Sequence, residues 1–263
     1  MNPSELKIIV QEKYGKIASS GESESGSCCC TPGCCSSEGI STFNDSYDHL
    51  DGYVPDADLS LGCGVPVDYA GIRQGDRILD LGSGAGNDCF VARSLTGETG
   101  HVTGLDFTEQ MLLKAEENRN KLAYNNVEFI RGDIEEMPLP DNSYDIVLSN
   151  CVLNLVPDKQ KAFSEIMRVL KPGGHFCVSD VIVKGVLSEK ARSDAELYVG
   201  CVSGASTLDE YLGFIRNSGF TTINIHKEKL IQMPEGVLDS DEMNHGNGVY
   251  SITVSAIKPS LIN

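Results

Sequence analysis

Short apolar runs alternate with amphipathic stretches through the middle of the chain. The apolar runs predict five buried strands, at Arg77–Leu81, His101–Asp106, Val127–Arg131, Asp145–Ser149 and His175–Val183. The stretches between them predict helices that end near Leu95, Leu122 and Leu170, and Pro172 and Gly173 are expected to stop the last one. Strands that alternate with helices of this length predict crossover connections and a doubly wound, mostly parallel α/β sheet.

The two ends of the chain extend this α/β region. Apolar residues at helical spacing predict a helix over residues 4–18, and the segment 19–39 that follows is rich in Gly and Ser and carries thiols. Beyond residue 185 the pattern predicts two helices and two β-rich stretches, at about 188–199, 207–218, 221–231 and 248–257.

We therefore expect three parts. Residues 1–70 form an N-terminal helix and a flexible cysteine-rich segment, residues 71–185 form the α/β domain, and residues 186–263 form a C-terminal α+β extension that completes the sheet. No internal repeat is visible.

Charge narrows the classes of partner. The chain has 21 Lys and Arg against 38 Asp and Glu, a formal net charge of −17. This balance disfavours nucleic acid and anionic membrane surfaces, which need clustered cations. The sequence has no apolar run of the roughly 18 to 20 residues that a membrane span needs, and its first residues do not resemble a secretory signal. We expect a cytoplasmic protein.

The ten cysteines point to chemistry at sulfur. Five lie in the cluster 28–35, and five are dispersed: Cys63, Cys89, Cys151, Cys177 and Cys201. In a reducing compartment they stay thiols, so metal binding or catalysis is favoured over a disulfide framework. Cys89 on the first helix of the α/β region and Cys177 inside a strand are expected in the core, because a thiol packs as a small hydrophobic group.

A glycine-rich turn joins the first strand to the first helix. It reads Asp80-Leu81-Gly82-Ser83-Gly84-Ala85-Gly86, so its glycine spacing differs from the G-x-G-x-x-G of dinucleotide-binding proteins. An acid two residues before the first glycine would repel a pyrophosphate and suits a cationic ligand. An NAD-dependent dehydrogenase therefore fits poorly.

Polar residues also end the next three strands. Asp106 ends the second, Asp133 follows the third, and Asn150 and Cys151 follow the fourth. Ligands of open α/β sheets bind beyond the carboxyl ends of the strands, so these residues are expected to line one crevice. A carboxylate after the second strand can accept both hydroxyls of a ribose.

Together with RVLKPGG at 168–174, these motifs resemble the class I S-adenosylmethionine-dependent methyltransferases. The resemblance implies a Rossmann-like, seven-stranded sheet with one antiparallel strand. It places Asp80 near the methionine moiety and Asp106 at the ribose, and it places Asp133 and Ile134 over the adenine. The cofactor contacts that it implies are Asp80, Gly82, Gly84, Gly86, Asp106, Phe107, Asp133, Ile134 and Asn150.

The cysteine contexts resemble one family in this superfamily, the arsenite methyltransferases. LGCGVP at 61–66, SNCVLNLVPDK at 149–159 and YVGCVSGAS at 198–206 carry this second resemblance. It implies that Cys63, Cys151 and Cys201 bind trivalent arsenic, as arsenite or a methylated trivalent arsenical, and thiolates do select such soft centres. It further implies a thiol reductant, glutathione or thioredoxin, and an N-terminal cysteine that pairs with Cys63, for which Cys34 or Cys35 is our choice.

Several alternatives remain at this point. A small-molecule C- or O-methyltransferase would use the same cofactor site, and a non-catalytic, thiol-rich protein could bind or sense metalloids. The cluster 28–35 is either a capture site for arsenite or a redox-sensitive loop. Deleting it should raise the apparent KM for arsenite only under the first hypothesis.

Overall fold

The computed structural model describes residues 2–20, 45–189, 202–233, 237 and 247–260. In chain order its helices and strands are α1 (Pro3–Ser20), β1 (Arg77–Leu81), α2 (Asn87–Thr96), β2 (His101–Asp106), α3 (Glu109–Leu122), β3 (Val127–Arg131), β4 (Tyr144–Asn150), α4 (Lys159–Val169), β5 (Leu170–Lys184), β6 (Ser206–Thr207), α5 (Leu208–Asn217), β7 (Thr221–Ile231) and β8 (Gly248–Ile257). Three short 3-10 helices span Pro55–Ala57, Pro66–Asp68 and Leu153–Leu155.

The strands form one sheet in the order β3-β2-β1-β4-β5-β8-β7, and the two-residue β6 pairs with β5. All pairs from β3 to β5 are parallel, whereas β8 is antiparallel to both of its neighbours. The predicted fold is therefore confirmed, with seven strands on the main path and one of them antiparallel. The C-terminal β-rich stretches complete the sheet, as expected.

The boundary between α4 and β5 differs from the prediction. The helix ends at Val169, and Leu170 is already extended with φ −68° and ψ 140°. Leu170 pairs with Tyr144 at the start of β5, so Pro172 and Gly173 lie within β5, at an irregularity where Gly173 has φ +82°, and do not cap the helix. The physical reason is that Leu170 pairs with Tyr144 on β4 and its side chain is fully buried in the core, so the chain is already extended two residues before Pro172.

Apolar side chains cover both faces of the sheet. One cluster packs α4 and α5 against the sheet around Phe163, Phe176 and Tyr211. The opposite cluster packs α2 around Phe90 and Ile78. None of the described helices combines the length and the apolar composition needed to cross a membrane. The predicted helix at about 188–199 lies almost wholly outside the described residues.

The helix α1 lies across the edge where the parallel strands end. Its residue Val10 is buried, and the helix packs against α3. Lys7 pairs with Asp133 at 2.6 Å and also with Glu135. Gln11 Nε2 donates to the carbonyl of Phe107 at 2.9 Å. The N-terminal segment thereby covers one side of the crevice that the sequence predicts.

Candidate active site

The glycine turn after β1 is held by the end of β2. The Gly82 N–H donates to Leu105 O at 2.7 Å, and the Gly84 N–H donates to Asp106 Oδ2 at 3.0 Å. Gly82 has φ +67°, and a Cβ there would lie 2.5 Å from Val152. A glycine is required at this position for both reasons, because other residues rarely adopt this φ and no side chain fits.

Asp106 is the residue that ties the turn to α3. Its second oxygen accepts a hydrogen bond from the Thr108 N–H at 2.8 Å, and Thr108 is the N-cap of α3. Burial raises the pKa of the Asp106 carboxyl, although these N–H groups favour the ionised form. Two backbone amides therefore hold a carboxylate at the end of β2, where a ribose is expected.

Two more buried acids lie below the turn. The Asp80 carboxyl accepts a hydrogen bond from the Cys89 thiol at 3.3 Å. Burial and the charge of Asp88 raise the pKa of Asp80 well above the ordinary value. Burial also raises the pKa of Asp88 to about 6, although Tyr47 donates a hydrogen bond to it at 2.7 Å. Buried carboxyls of this kind favour a cationic ligand, since a nearby positive charge would stabilise their ionised forms.

A cleft of about 910 Å³, part of it open to solvent, lies above these groups. Most of the predicted cofactor residues line it. They are Asp80, Gly82, Gly84, Asp106, Phe107, Ile134 and Asn150. Gly86 is the N-cap of α2 with φ +96° and shapes the turn from behind. Asp133 lies next to Ile134 but outside the lining, where its carboxylate pairs with Lys7.

The cleft also offers polar atoms that suit a polar ligand. Ser83 Oγ and Asn87 Oδ1 are buried and have no hydrogen-bond partner among the described residues. Both residues line the cleft. An unpaired buried polar atom is costly, and a bound ligand with hydroxyl or amino groups would relieve the cost. These atoms and the acids described above fit S-adenosylmethionine, which carries a sulfonium, an ammonium and a ribose.

Two of the three predicted arsenic ligands lie together beside this cleft. Among the described residues, the thiols of Cys63 and Cys151 and the carboxyl of Asp180 form a group whose ligand atoms all lie within 4.8 Å of one another. All three side chains are buried. Cys151 also lines the cleft, so it belongs to both the thiol pair and the cofactor site.

The backbone at Cys151 explains how its side chain reaches this place. β4 ends at Asn150, and Cys151 then adopts φ +59°, a left-handed conformation that non-glycine residues rarely take. Its N–H donates to Ser179 O at 2.8 Å, which holds the residue against β5. Strain of this kind costs on the order of 1 to 3 kcal/mol and is concentrated at functional sites.

Asp180 was not among the residues that the sequence suggested. It lies in β5, where the Val181 N–H donates to one of its oxygens at 2.9 Å. The hydroxyl of Tyr211 on α5 donates to the other oxygen at 3.1 Å. Burial raises the pKa of Asp180 to about 7. Asp180 follows Ser179 in an otherwise apolar strand, and this pattern does not indicate that the carboxyl faces two thiols.

Asp180 should make stability depend on pH. Because its pKa is raised on folding, from about 4 to about 7, its favourable contribution is complete below about pH 4 and is lost as the pH rises through 7. We expect Asp180→Asn to gain stability relative to the wild type between pH 4 and pH 8, by at most about 4 kcal/mol. Denaturant unfolding at both pH values measures this change, and a difference that is independent of pH would contradict it.

The remaining cysteines divide as follows. Cys89 and Cys177 are fully buried, which confirms their predicted place in the core, and burial raises the pKa of Cys177 to about 12. Cys201 and the cluster 28–35, with Cys34 and Cys35, lie outside the described residues.

Comparison with known proteins agrees with the fold of the sheet. A family model described as a methyltransferase domain matches residues 72–233. The arsenite methyltransferase of Halobacterium salinarum is 38% identical over 98% of this chain and 68% of its own length. The arsenite methyltransferase of Homo sapiens is 41% identical over 62% of this chain and 46% of its own length.

A solved structure of a protein with a related name also resembles this chain. An arsenic (III) S-adenosylmethionine methyltransferase from Chlamydomonas reinhardtii superposes with a TM-score of 0.66 at 40% identity, over 75% of this chain and 68% of that chain. The fold and the cleft thus define an S-adenosylmethionine-dependent methyltransferase of class I. Within that class, the chain belongs to the arsenite methyltransferase family. It spans between 40% and 68% of the length of five relatives that carry this name.

Proposed function

We propose that this chain transfers the methyl group of S-adenosylmethionine to trivalent arsenic bound by Cys63, Cys151 and Cys201. The observation that carries the proposal is the buried group of two thiols and a carboxyl, within 4.8 Å of one another, beside a cleft that Cys151 itself lines. Thiolates select soft, thiophilic centres, and trivalent arsenic is one of them.

Cys201 enters the proposal through its neighbour in sequence. Val202, which follows it directly, is fully buried in the same apolar cluster as Cys63 and Cys151. A third thiol from this segment would complete a pyramidal set of sulfur ligands. In this arrangement residues 1–70 supply Cys63, residues 71–185 hold the cofactor, and residues 186–263 supply Cys201 and complete the sheet.

The cofactor residues have distinct tasks in this proposal. Asp106 accepts the ribose hydroxyls, while Asp133 and Ile134 flank the adenine and Phe107 packs beside it. Asp80, with the glycine turn of Gly82, Gly84 and Gly86, surrounds the methionine moiety, and Asn150 borders the same space. S-adenosylmethionine, when bound, supplies an electrophilic methyl group on a sulfonium.

Arsenic loading balances without an added base. Each exchange replaces one arsenic hydroxyl with a cysteine sulfur and releases water, with the thiol proton leaving on that oxygen. Arsenic bound by three sulfurs keeps its lone pair and has no proton to remove. The protein therefore contributes position and exclusion of water, which are large effects for a reaction between two bound groups.

A reductant is part of the proposal. Addition of a methyl cation to the lone pair leaves arsenic formally pentavalent, so two electrons are needed to return it to the trivalent state. Two glutathione molecules or one thioredoxin supply them as thiols are oxidised to a disulfide. The reducing cytoplasm suits both this step and the buried thiols.

Arsenic speciation tests the proposal directly. The full chain is incubated with arsenite, glutathione or thioredoxin with its reductase, and methyl-labelled S-adenosylmethionine, and the arsenicals are separated. We expect label in methylated arsenic species that depends on both enzyme and arsenite. Absence of labelled arsenicals under every reductant would overturn the proposal.

A further inference from the structure

The side chain of Asn150 forms hydrogen bonds with the main chain of two consecutive residues, Cys63 and Gly64. Its Oδ1 accepts the Cys63 N–H at 3.0 Å, and its Nδ2 donates to Gly64 O at 2.8 Å. These residues are more than 80 positions apart in the chain, so the contact joins the end of β4 to the loop that carries Cys63. A carboxamide that donates and accepts in this way defines the orientation of the peptide it holds.

The glycines on either side of Cys63 allow the main chain to lie close to polar side chains of the sheet. A Cβ on Gly62 would lie 2.7 Å from Asn150 Nδ2, and its three nearest atoms all belong to Asn150. A Cβ on Gly64 would lie 2.6 Å from Ser179 Oγ. The Gly-Cys-Gly segment is thus packed directly against two polar side chains of the sheet, with no space for side chains of its own at Gly62 and Gly64.

The same carboxamide faces the cofactor cleft. Asn150 lines the cleft, and its Nδ2 lies 2.8 Å from Tyr47 Oη and 3.3 Å from Asp88 Oδ2. The Tyr47 hydroxyl in turn donates to Asp88 Oδ1 at 2.7 Å. Tyr47 and Asp88 also line the cleft. One buried polar network therefore connects the cleft wall with the backbone of a proposed arsenic ligand.

We propose that Asn150 is a positioning residue whose carboxamide holds the Cys63 backbone, and with it the Cys63 thiol, in register with the methyl-donor cleft. The inference rests on the proposed function, since Cys63 is taken as an arsenic ligand. Its physical basis is that two bound groups react fast only in a narrow range of geometry, and a displacement of about 1 Å can cost about 100-fold in rate.

A double-mutant cycle tests this role. The variants are Asn150→Ala, Gly62→Ala and the combination of both, measured at saturating S-adenosylmethionine. Gly62 has no positive φ, so alanine is compatible with the backbone there and disturbs the site only by pushing Asn150 aside. Removing the Asn150 amide removes the clash, so the two substitutions should not be additive.

The matched control is Asn126→Ala. Asn126 is also half-buried and also holds a turn through backbone carbonyls, donating to Gly97 O and Gly100 O at 2.9 Å each. It directly precedes β3, at the amino ends of the parallel strands, whereas the cleft lies at their carboxyl ends. Thermal melting of every variant establishes that each protein is folded before its kinetics are compared.

We expect kcat for arsenite methylation to fall about 100-fold in each single variant and no further in the double variant, with Asn126→Ala within about threefold of the wild type. A second readout needs no arsenic. Maleimide labelling, mapped to single cysteines, should modify Cys63 at least about tenfold faster in Asn150→Ala and Gly62→Ala, whereas labelling of buried Cys177 should not change.

The outcomes separate the two proposals. If the wild type makes no methylated arsenical, the proposed function fails, and the labelling still tests the position of Cys63. If the wild type is active but Asn150→Ala matches Asn126→Ala in both kcat and Cys63 labelling, the positioning role is wrong. Additive losses in the double variant would overturn it as well.

Discussion

Replacement of Cys151 by serine should lower arsenite methylation by on the order of 1,000-fold or more, the scale of loss seen when a group that binds the reacting centre is removed. Serine keeps the size of the side chain but replaces a thiolate donor with a hydroxyl, which is a poor ligand for a soft centre. Binding of S-adenosylmethionine should change by less than about threefold, because Cys151 contributes only one side of the cleft. Turnover with methyl-labelled cofactor and titration calorimetry measure the two quantities.

Cys177→Ala is the matched control for this prediction. Cys177 is buried in β5 and is as inaccessible as Cys151, but it belongs to the apolar cluster that packs α2 against the sheet. Its removal leaves a small cavity that costs about 1 kcal/mol of stability, and activity should stay within about threefold of the wild type. Retained arsenite methylation in Cys151→Ser would contradict the role of Cys151 as an arsenic ligand, whereas a C- or O-methyltransferase that shares this cofactor site would keep turnover of its own acceptor in this variant.

The local part of the structure followed from the sequence. The bounds of β1, β2 and β3 match their predictions residue for residue, because short buried runs bounded by turns leave little choice of length. The glycine turn and Asp106 were also found, since both are defined by spacing within one strand-turn-helix unit. The helix α4 ends within one residue of the predicted Leu170, but the expected stop by Pro172 and Gly173 was wrong, because the extended conformation of Leu170 depends on pairing with Tyr144 across the sheet.

The polar groups around the thiols did not follow from the sequence. Asp180 and Tyr211 meet because α5 packs over β5, and Asn150 reaches Tyr47 from 103 residues away. Contacts of this kind arise from tertiary packing and carry no periodic or spacing signal. The sequence did predict Asn150 at the cleft, but only as a cofactor contact. Its hydrogen bonds to the main chain of Cys63 and Gly64 are visible only in the structure. The roles of the cysteines toward arsenic stay predictions.

Replacement of Asp106 by alanine should weaken binding of S-adenosylmethionine by about 100-fold, which corresponds to about 3 kcal/mol, the upper range for hydrogen bonds to a charged group. Two losses combine in this variant. The ribose loses its acceptor, and the Gly84 and Thr108 N–H groups lose the carboxylate that holds the turn against β2. Calorimetric titration with S-adenosylmethionine measures the affinity.

Asp76→Ala separates these losses from the general effect of removing a turn carboxylate. Asp76 accepts a hydrogen bond from the Arg73 N–H at 2.7 Å and directly precedes β1. It therefore lies at the amino ends of the parallel strands, opposite the cleft. It should leave cofactor affinity within about threefold of the wild type, because only local turn stability is reduced. If Asp106→Ala binds the cofactor as well as Asp76→Ala does, the carboxylate at the end of β2 does not hold the ribose. The cleft would then bind the cofactor through its remaining polar lining, with Ser83, Asn87 and the buried Asp80 and Asp88 as the groups next in reach.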